Sequence, residues 1–162
     1  HESVLGVNHE STATSYNNIG EVMRVKGNYD KALIMYRKAL AIYESVLGIN
    51  HENTATSYNN IGEVMRVKGN YDLHVKGNYD EALIMYRKAL AIYESVLGIN
   101  HENTATSYNN IGGVLCVKGN YDEALIMFRK ALVVYELQVG VNHPTTLVIK
   151  RNLDMCHSFT SM

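Results

Sequence analysis

Tryptophan is absent from this 162-residue chain, and proline occurs once, at Pro144. So little proline removes the commonest interruption of a helix and suits long segments rich in Ala, Leu, Ile and Met. No stretch approaches the roughly 18 consecutive apolar residues of a membrane span, and no apolar h-region follows a basic start. Charge of one sign is also scarce: 15 Lys and Arg stand against 16 Asp and Glu, a formal net charge of -1. A nucleic-acid binder ordinarily shows a basic surplus, so the balance speaks against nucleic acid as a partner. The two cysteines, Cys116 and Cys156, lack CxxC spacing and are too few for a disulfide framework, which points to a reducing, cytoplasmic setting. There is no GxxxxGK[ST] or GxGxxG phosphate loop, no HExxH and no cysteine with a local histidine partner. The sequence therefore points to no catalytic residue, no cofactor and no metal.

What it has instead is repetition. The run from Ala32 to Gly62 recurs letter for letter from Ala82 to Gly112. His9 to His51 spans 42 residues, His51 to His101 spans 50, and His101 to His143 spans 42. The surplus comes from a tandem duplication, VKGNYDLH at Val67–His74 followed by VKGNYDEA at Val75–Ala82. Such an insert either lengthens a helix by about two turns or bulges out as a loop. Because eight residues rotate the helical phase by about 80°, we expect a local irregularity that leaves Gly77–Tyr79 to set up the next helix. We read one domain over residues 1–162: repeat 1 at about 9–48, repeat 2 at about 51–98 with the duplication near 67–82, repeat 3 at about 101–140, and a degenerate C-terminal helix at about 143–157. The opening HESVLG matches YESVLG at Tyr43–Gly48 and Tyr93–Gly98, so the chain is expected to be a piece of a longer protein.

Each unit reads as two helices. The spacing predicts helix A over about Glu10–Lys26, with Tyr16, Ile19, Gly20 and Met23 on one narrow face. Gly20 in mid-helix costs roughly 1 kcal/mol against Ala, which makes sense where a neighbouring helix approaches closely. Gly27 is expected as a left-handed helix end and Asn28 as the cap of the next helix, with capping-box spacing at Asn78/Glu81 and Asn120/Glu123. Helix B is predicted over about Tyr29–Leu47. Its apolar face is Ala32, Leu33, Tyr36, Ala39, Leu40, Tyr43 and Leu47, with Asp30, Arg37, Lys38 and Glu44 opposite. The tyrosines fall on packing faces and read as core. The periodic histidines sit on successive hairpins roughly 8–10 Å apart, too far to converge on one ion, and are expected to start helices as caps. One hairpin cannot bury its apolar faces alone, so the fold class is all-α, an α-solenoid of stacked antiparallel hairpins.

The residues that recur carry a resemblance. Helix A holds Tyr16/Ile19/Gly20, Tyr58/Ile61/Gly62 and Tyr108/Ile111/Gly112. The turn and helix B hold Gly27/Tyr29/Ala32, Gly77/Tyr79/Ala82 and Gly119/Tyr121/Ala124, then Tyr36/Ala39, Tyr86/Ala89 and Phe128/Ala131. This pattern resembles the tetratricopeptide repeat, in the 42-residue form of kinesin light chains. Three loops read His-Glu, at His9, His51 and His101, where that family usually has His-Pro. HPTTLVIKRNLDM resembles a degenerate fourth helix A, with Pro144 suited to a first helical turn.

The resemblance implies an adaptor or scaffold whose A helices line a concave groove for an extended peptide or partner helix. The residues left facing it are Thr14, Asn17, Asn18, Glu21 and Arg24; Thr56, Asn59, Asn60, Glu63 and Arg66; and Thr106, Asn109, Asn110, Gly113 and Cys116. Asparagine offers donors and an acceptor, so paired Asn on every A helix either grips a peptide backbone, solvates the helix face or bonds between repeats. Glu21 with Arg24 and Glu63 with Arg66 form i,i+3 pairs, which makes the groove mixed rather than basic. Gly113 and Cys116 remove charge and bulk together and predict a small apolar pocket. Two other readings stand beside the scaffold: a sensor or regulatory repeat region of a signalling NTPase, and self-association through uncapped terminal repeats.

Overall fold

The computed structural model describes residues 9–71 and 77–160, and every regular element in them is an α-helix. In chain order these are α1 (Glu10–Val25), α2 (Tyr29–Val46), α3 (Glu52–Tyr71), α4 (Gly77–Val96), α5 (Glu102–Val117), α6 (Tyr121–Gln138) and α7 (Pro144–Thr160). The fold is all-α, of the solenoid class. No described helix is long and apolar enough to cross a membrane. The chain divides into two compact units, His1–Ile92 and Tyr93–Met162. In the first, α1 and α2 form a hairpin and α3 packs on α2. In the second, α5 and α6 form a hairpin, and α7 packs on α6 and touches α5.

Histidine opens the A helices, as the sequence predicts. Nδ1 of His9, His51 and His101 each accepts the backbone N–H two residues on at 3.1 Å, and His143 does so at 3.3 Å. A threonine then ties the loop down: the hydroxyls of Thr54, Thr104 and Thr146 donate to the carbonyls of Gly48, Gly98 and Gly140 at 2.8–2.9 Å.

Helix A ends differently from the simple cap-to-cap reading. Gly27 and Gly119 are left-handed as expected, at φ 76 and 83. Yet Asn28 and Asn120 make no side-chain cap bond. Their backbone N–H groups are used instead, donating to Met23 O and Leu115 O at 2.9 Å, while the glycine N–H groups reach Arg24 O and Cys116 O. This is the paired 6→1 and 5→2 closure of a Schellman motif. It holds each asparagine at ψ near 62–65°, outside the extended region from which a side chain caps. Asn78 is no cap either, because α4 already starts at Gly77.

Within each hairpin the mid-helix glycine receives an aromatic ring. A Cβ added at Gly20 would lie 2.8 Å from the Tyr36 ring, at Gly62 2.9 Å from Tyr86, and at Gly112 3.0 Å from Phe128. Tyr36, Tyr86 and Phe128 are accordingly among the most buried side chains. The apolar face of helix B is rotated slightly from the predicted one. Ile42, Ile92 and Val134 are buried, and Leu40, Leu90 and Leu132 only half so. Glu44 is not on the solvated side; it accepts the Tyr58 hydroxyl at 2.5 Å. Lys38 lies 5.0 Å above the Tyr16 ring, a cation–π contact.

The duplication lengthens α3. Its counterparts α1 and α5 stop at Val25 and Val117, whereas α3 continues through Lys68–Tyr71. Gly69 therefore sits in helix, with the Tyr79 ring against it, and the Tyr79 hydroxyl donates to Asn70 Oδ1 at 2.7 Å. The remainder of the expected irregularity falls on 72–76, outside the described residues.

Two neighbouring kinds of glycine give a sharp test. Gly62→Ala is expected to destabilise by about 1–3 kcal/mol, because its Cβ would meet both the Tyr86 ring and, at 3.3 Å, the Ala82 carbonyl. Gly113→Ala, where an added Cβ meets nothing within 4 Å, is expected to stabilise by about 0.5–1 kcal/mol through helix propensity alone. Urea midpoints of the two variants check this; equal shifts of the same sign would break the account.

Candidate functional site

The A helices carry the candidate residues, and the hairpin contact decides how they are presented. In the first unit Thr14 stands exposed near the start of α1, sharing a hydrogen bond with the Tyr43 hydroxyl at 2.9 Å. Thr56 donates to Glu52 O at 3.1 Å, and in the second unit Thr106 pairs with the Tyr135 hydroxyl at 2.7 Å. These threonines are tied to their own hairpins.

The asparagines meet one another. Asn60 Nδ2 donates to Asn17 Oδ1 at 3.0 Å, joining α3 to α1. In the second unit Asn152 Nδ2 donates to Asn109 Oδ1 at 3.4 Å, joining α7 to α5. Of the open alternatives for paired Asn, bonding between repeats is therefore present. Asn152 was outside the predicted set, although it lies 42 residues after Asn110 and so continues the register. Asn18 is exposed, while Asn59 and Asn110 are half-buried. Each inter-repeat bond uses one acceptor and one donor, leaving the Nδ2 group of Asn17 and Oδ1 of Asn60 outside that bond.

Glu21 and Arg24 form a two-pronged pair, Arg24 Nε donating at 2.9 Å and its terminal nitrogen at 2.6 Å. Glu63 and Arg66 repeat it at 2.9 and 2.7 Å. A third member went unpredicted: the Tyr36 hydroxyl donates to Glu21, and the Tyr86 hydroxyl to Glu63, both at 2.8 Å. The signal was available, since the third repeat loses all three together: Gly113, Cys116 and Phe128 replace Glu, Arg and Tyr. Losing the hydroxyl with its acceptor leaves no buried donor unsatisfied.

These bonds set the local electrostatics. Arg24, by hydrogen bond and charge, with the Tyr36 hydroxyl, holds the Glu21 carboxyl at about 2 rather than 4.5. Burial pushes Glu63 upward, but Arg66 and Tyr86 outweigh it and the net displacement is down, with Arg24 adding its charge. Burial and the partner carboxylate push the Tyr36 and Tyr86 hydroxyls well above the usual phenol range. Each triad is thus a neutralised ion pair with its acceptor oxygens engaged.

At Gly113 an added Cβ would meet nothing within 4 Å, whereas Cys116, expected to line an apolar pocket beside it, is buried, as is Cys156 of α7. Cross-helix packing of this kind is invisible on the wheel of one helix. Among the described residues no cluster of three or more His, Cys, Asp or Glu is placed to hold a metal ion.

A family model described as tetratricopeptide repeat matches residues 1–45, 11–73, 72–135 and 105–160. No curated protein matches the sequence. Among solved structures, BtubC (BKLC) from P. vanneervenii is similar at 20% identity and a TM-score of 0.81, over 93% of this chain and 57% of that one. A kinesin light chain-like protein of nearly identical TPR-like repeats from Podosopora anserina is similar at 17% identity and a TM-score of 0.78, over 92% of this chain and 67% of that one. A substituted form of that protein gives 17% identity and a TM-score of 0.78, over 92% of this chain and 66% of that one. This chain thus spans little more than half the length of BtubC. At these identities the likeness concerns the fold.

The triad predicts a pH signature. Glu21 is expected to titrate near pH 2, with Tyr36→Phe moving the midpoint upward and Arg24→Ala moving it further. Because the folded value lies below the unfolded one, the pair's stabilisation is complete above about pH 4.5 and is lost as pH falls through 2. The Glu21 side chain is 48% exposed, so screening keeps that contribution under about 1 kcal/mol. Carboxyl-carbon NMR titration checks it; an ordinary Glu21 midpoint would rule the pairing out in solution.

Proposed function

Since this chain belongs to the tetratricopeptide repeat family, a class of protein-interaction scaffolds, we propose that it is an adaptor module rather than an enzyme. Its A helices take an extended peptide or partner helix along the row Thr14, Asn17, Asn18, Glu21 and Arg24 and its equivalents on α3 and α5. The supporting observation is the asparagine pairing. The bonds between Asn17 and Asn60, and between Asn109 and Asn152, fix amide groups in place while leaving further donors and acceptors to meet a peptide backbone. Preorganised amides lose little freedom when a guest arrives. The neutralised Glu–Arg pairs support a guest of mixed character over a strongly acidic one. The cytoplasmic setting belongs to the same proposal, in keeping with two unlinked thiols.

The test begins with peptides selected from a displayed random library against the whole chain. Amide shifts on binding are expected at Asn17, Asn59 and Asn109. Asn17→Ala with Asn109→Ala is expected to weaken binding about tenfold or more while the helical circular dichroism is kept. Undiminished affinity, or shifts confined to the B helices, would move the site elsewhere.

One observation favours self-association as a second activity of the scaffold. Ile19 and Val22 of α1 are 42% and 50% exposed, whereas their counterparts Ile61 and Val64 are 1% and 0% exposed beneath a preceding hairpin. A helix of like sequence from another copy has the shape to cover them. Light scattering is expected to show mass rising with concentration and Ile19→Lys to abolish the rise; a constant monomer mass would remove this reading.

A further inference from the structure

Helix α1 leaves open a side that its counterpart α3 buries. Ser15, Ile19, Val22 and Lys26 follow at i, i+4, i+7 and i+11, so they share one side of the helix. In α3 the same register holds Ser57, Ile61, Val64 and Lys68, and the first three are buried. In α1 Ile19, Val22 and Lys26 are exposed and Ser15 is half-buried.

How such a side is covered can be seen where α2 packs on α3. Lys68 Nζ pairs with Asp30, in the first turn of α2, at 2.5 Å, and the Tyr58 hydroxyl donates to Glu44 near the end of α2. The start of α2 thus meets the later part of α3, and its end the earlier part: the two run antiparallel. The covering helix brings a carboxylate to the lysine. In α1 Lys26 stands in the register of Lys68 and makes no ion pair among the described residues. The Ser15 hydroxyl donates to Ser11 O at 2.9 Å, as that of Ser57 does to Asn53 O at 3.1 Å. A helix laid over Ser15 therefore strands no hydroxyl. Both parts of the receiving surface, aliphatic and basic, are present on α1.

We propose that the open side of α1 is a docking surface for an amphipathic helix of the α2 type, supplied by another polypeptide chain. The guest lies antiparallel to α1, with a carboxylate of its first turn on Lys26 and its aliphatic side over Ile19 and Val22. That carboxylate gains twice, from Lys26 and from the positive N-terminal end of its own helix. Reversed, the guest would set its C-terminal carbonyls beside those of α1 and bring no acid to the lysine. This docking rests on the same open face as the self-association reading and deepens it by naming the kind of helix that closes the face. It is separate from peptide binding along the asparagine row.

The test adds a synthetic peptide of residues 28–48, blocked at both ends, to the whole chain. Amide shifts are expected at Ser15, Ile19, Val22 and Lys26. A nitroxide on the first residue of the peptide is expected to broaden the Lys26 signal rather than that of Ser15. Ile19→Lys is expected to weaken binding about tenfold or more, because the guest would bury the new charge. Lys26→Glu is expected to weaken it about threefold, and a peptide carrying Asp30→Lys to recover that loss. Light scattering of the chain alone keeps the two ideas apart. Peptide binding by a chain that stays monomeric upholds this docking and removes self-association; rising mass with no peptide binding does the reverse. Shifts confined to the asparagine row, or equal binding of a peptide with the same residues in scrambled order, would overturn the proposal.

Discussion

The contact on which the rest depends is an aromatic ring laid against a glycine. At Gly20, Gly62 and Gly112 the facing ring stands 2.8–3.0 Å from where a Cβ would lie, closer than ordinary side-chain packing. The helices of each hairpin are therefore closer than ordinary side chains would allow, and the ring is buried on all sides. Glycine in mid-helix is intrinsically unfavourable by about 1 kcal/mol, and burying an aromatic side chain more than offsets it. The same approach also delivers a hydroxyl to the next residue of helix A, where Tyr36 and Tyr86 meet Glu21 and Glu63. Packing and surface chemistry are thus joined in one side chain. Where the surface loses its carboxylate, at Gly113, the packing residue becomes Phe128 and the geometry of the hairpin survives without its polar tip.

A second linkage runs between neighbouring hairpins. The asparagine of one A helix bonds to the asparagine of the next, and buried threonines close the loops between them. Solenoids are stabilised by such nearest-neighbour terms, so residues that hold the stack together also present its face to the outside. Arg151 replaces the first asparagine on α7 while Asn152 keeps the second, so α7 still donates to the helix before it.

Much of this was legible from the letters because the governing period is long and the contacts recur at fixed offsets. The A and B helices of the first repeat end within a residue of where the apolar spacing places them, and histidine starts the helices as its position suggests. What escaped were matters decided between elements. Asn28 has the composition of a cap, but the Schellman closure claims its backbone first. Ile42 outranks Leu40 in burial because the next helix, not the wheel, sets which flank is covered. Cys116 reads as groove lining on the wheel of its own helix, yet it is buried. In the candidate row, the Glu–Arg pairs were readable from i,i+3 spacing, while the tyrosines that complete them lie 15 residues on at Tyr36 and 23 residues on at Tyr86 and could be found only by comparing repeats.

The near-identity of α2 and α4 bears on how the chain finds its native pairing. In an unfolded chain α1 meets two almost equivalent mates, one beginning at Tyr29 and the other at Gly77. Local chemistry hardly distinguishes them, so the choice falls to the entropy of closing the intervening segment, a bias of about 2 kcal/mol toward the nearer mate. That is a thin margin for kinetic partitioning, and it makes premature pairing with the distant copy a natural trap during refolding.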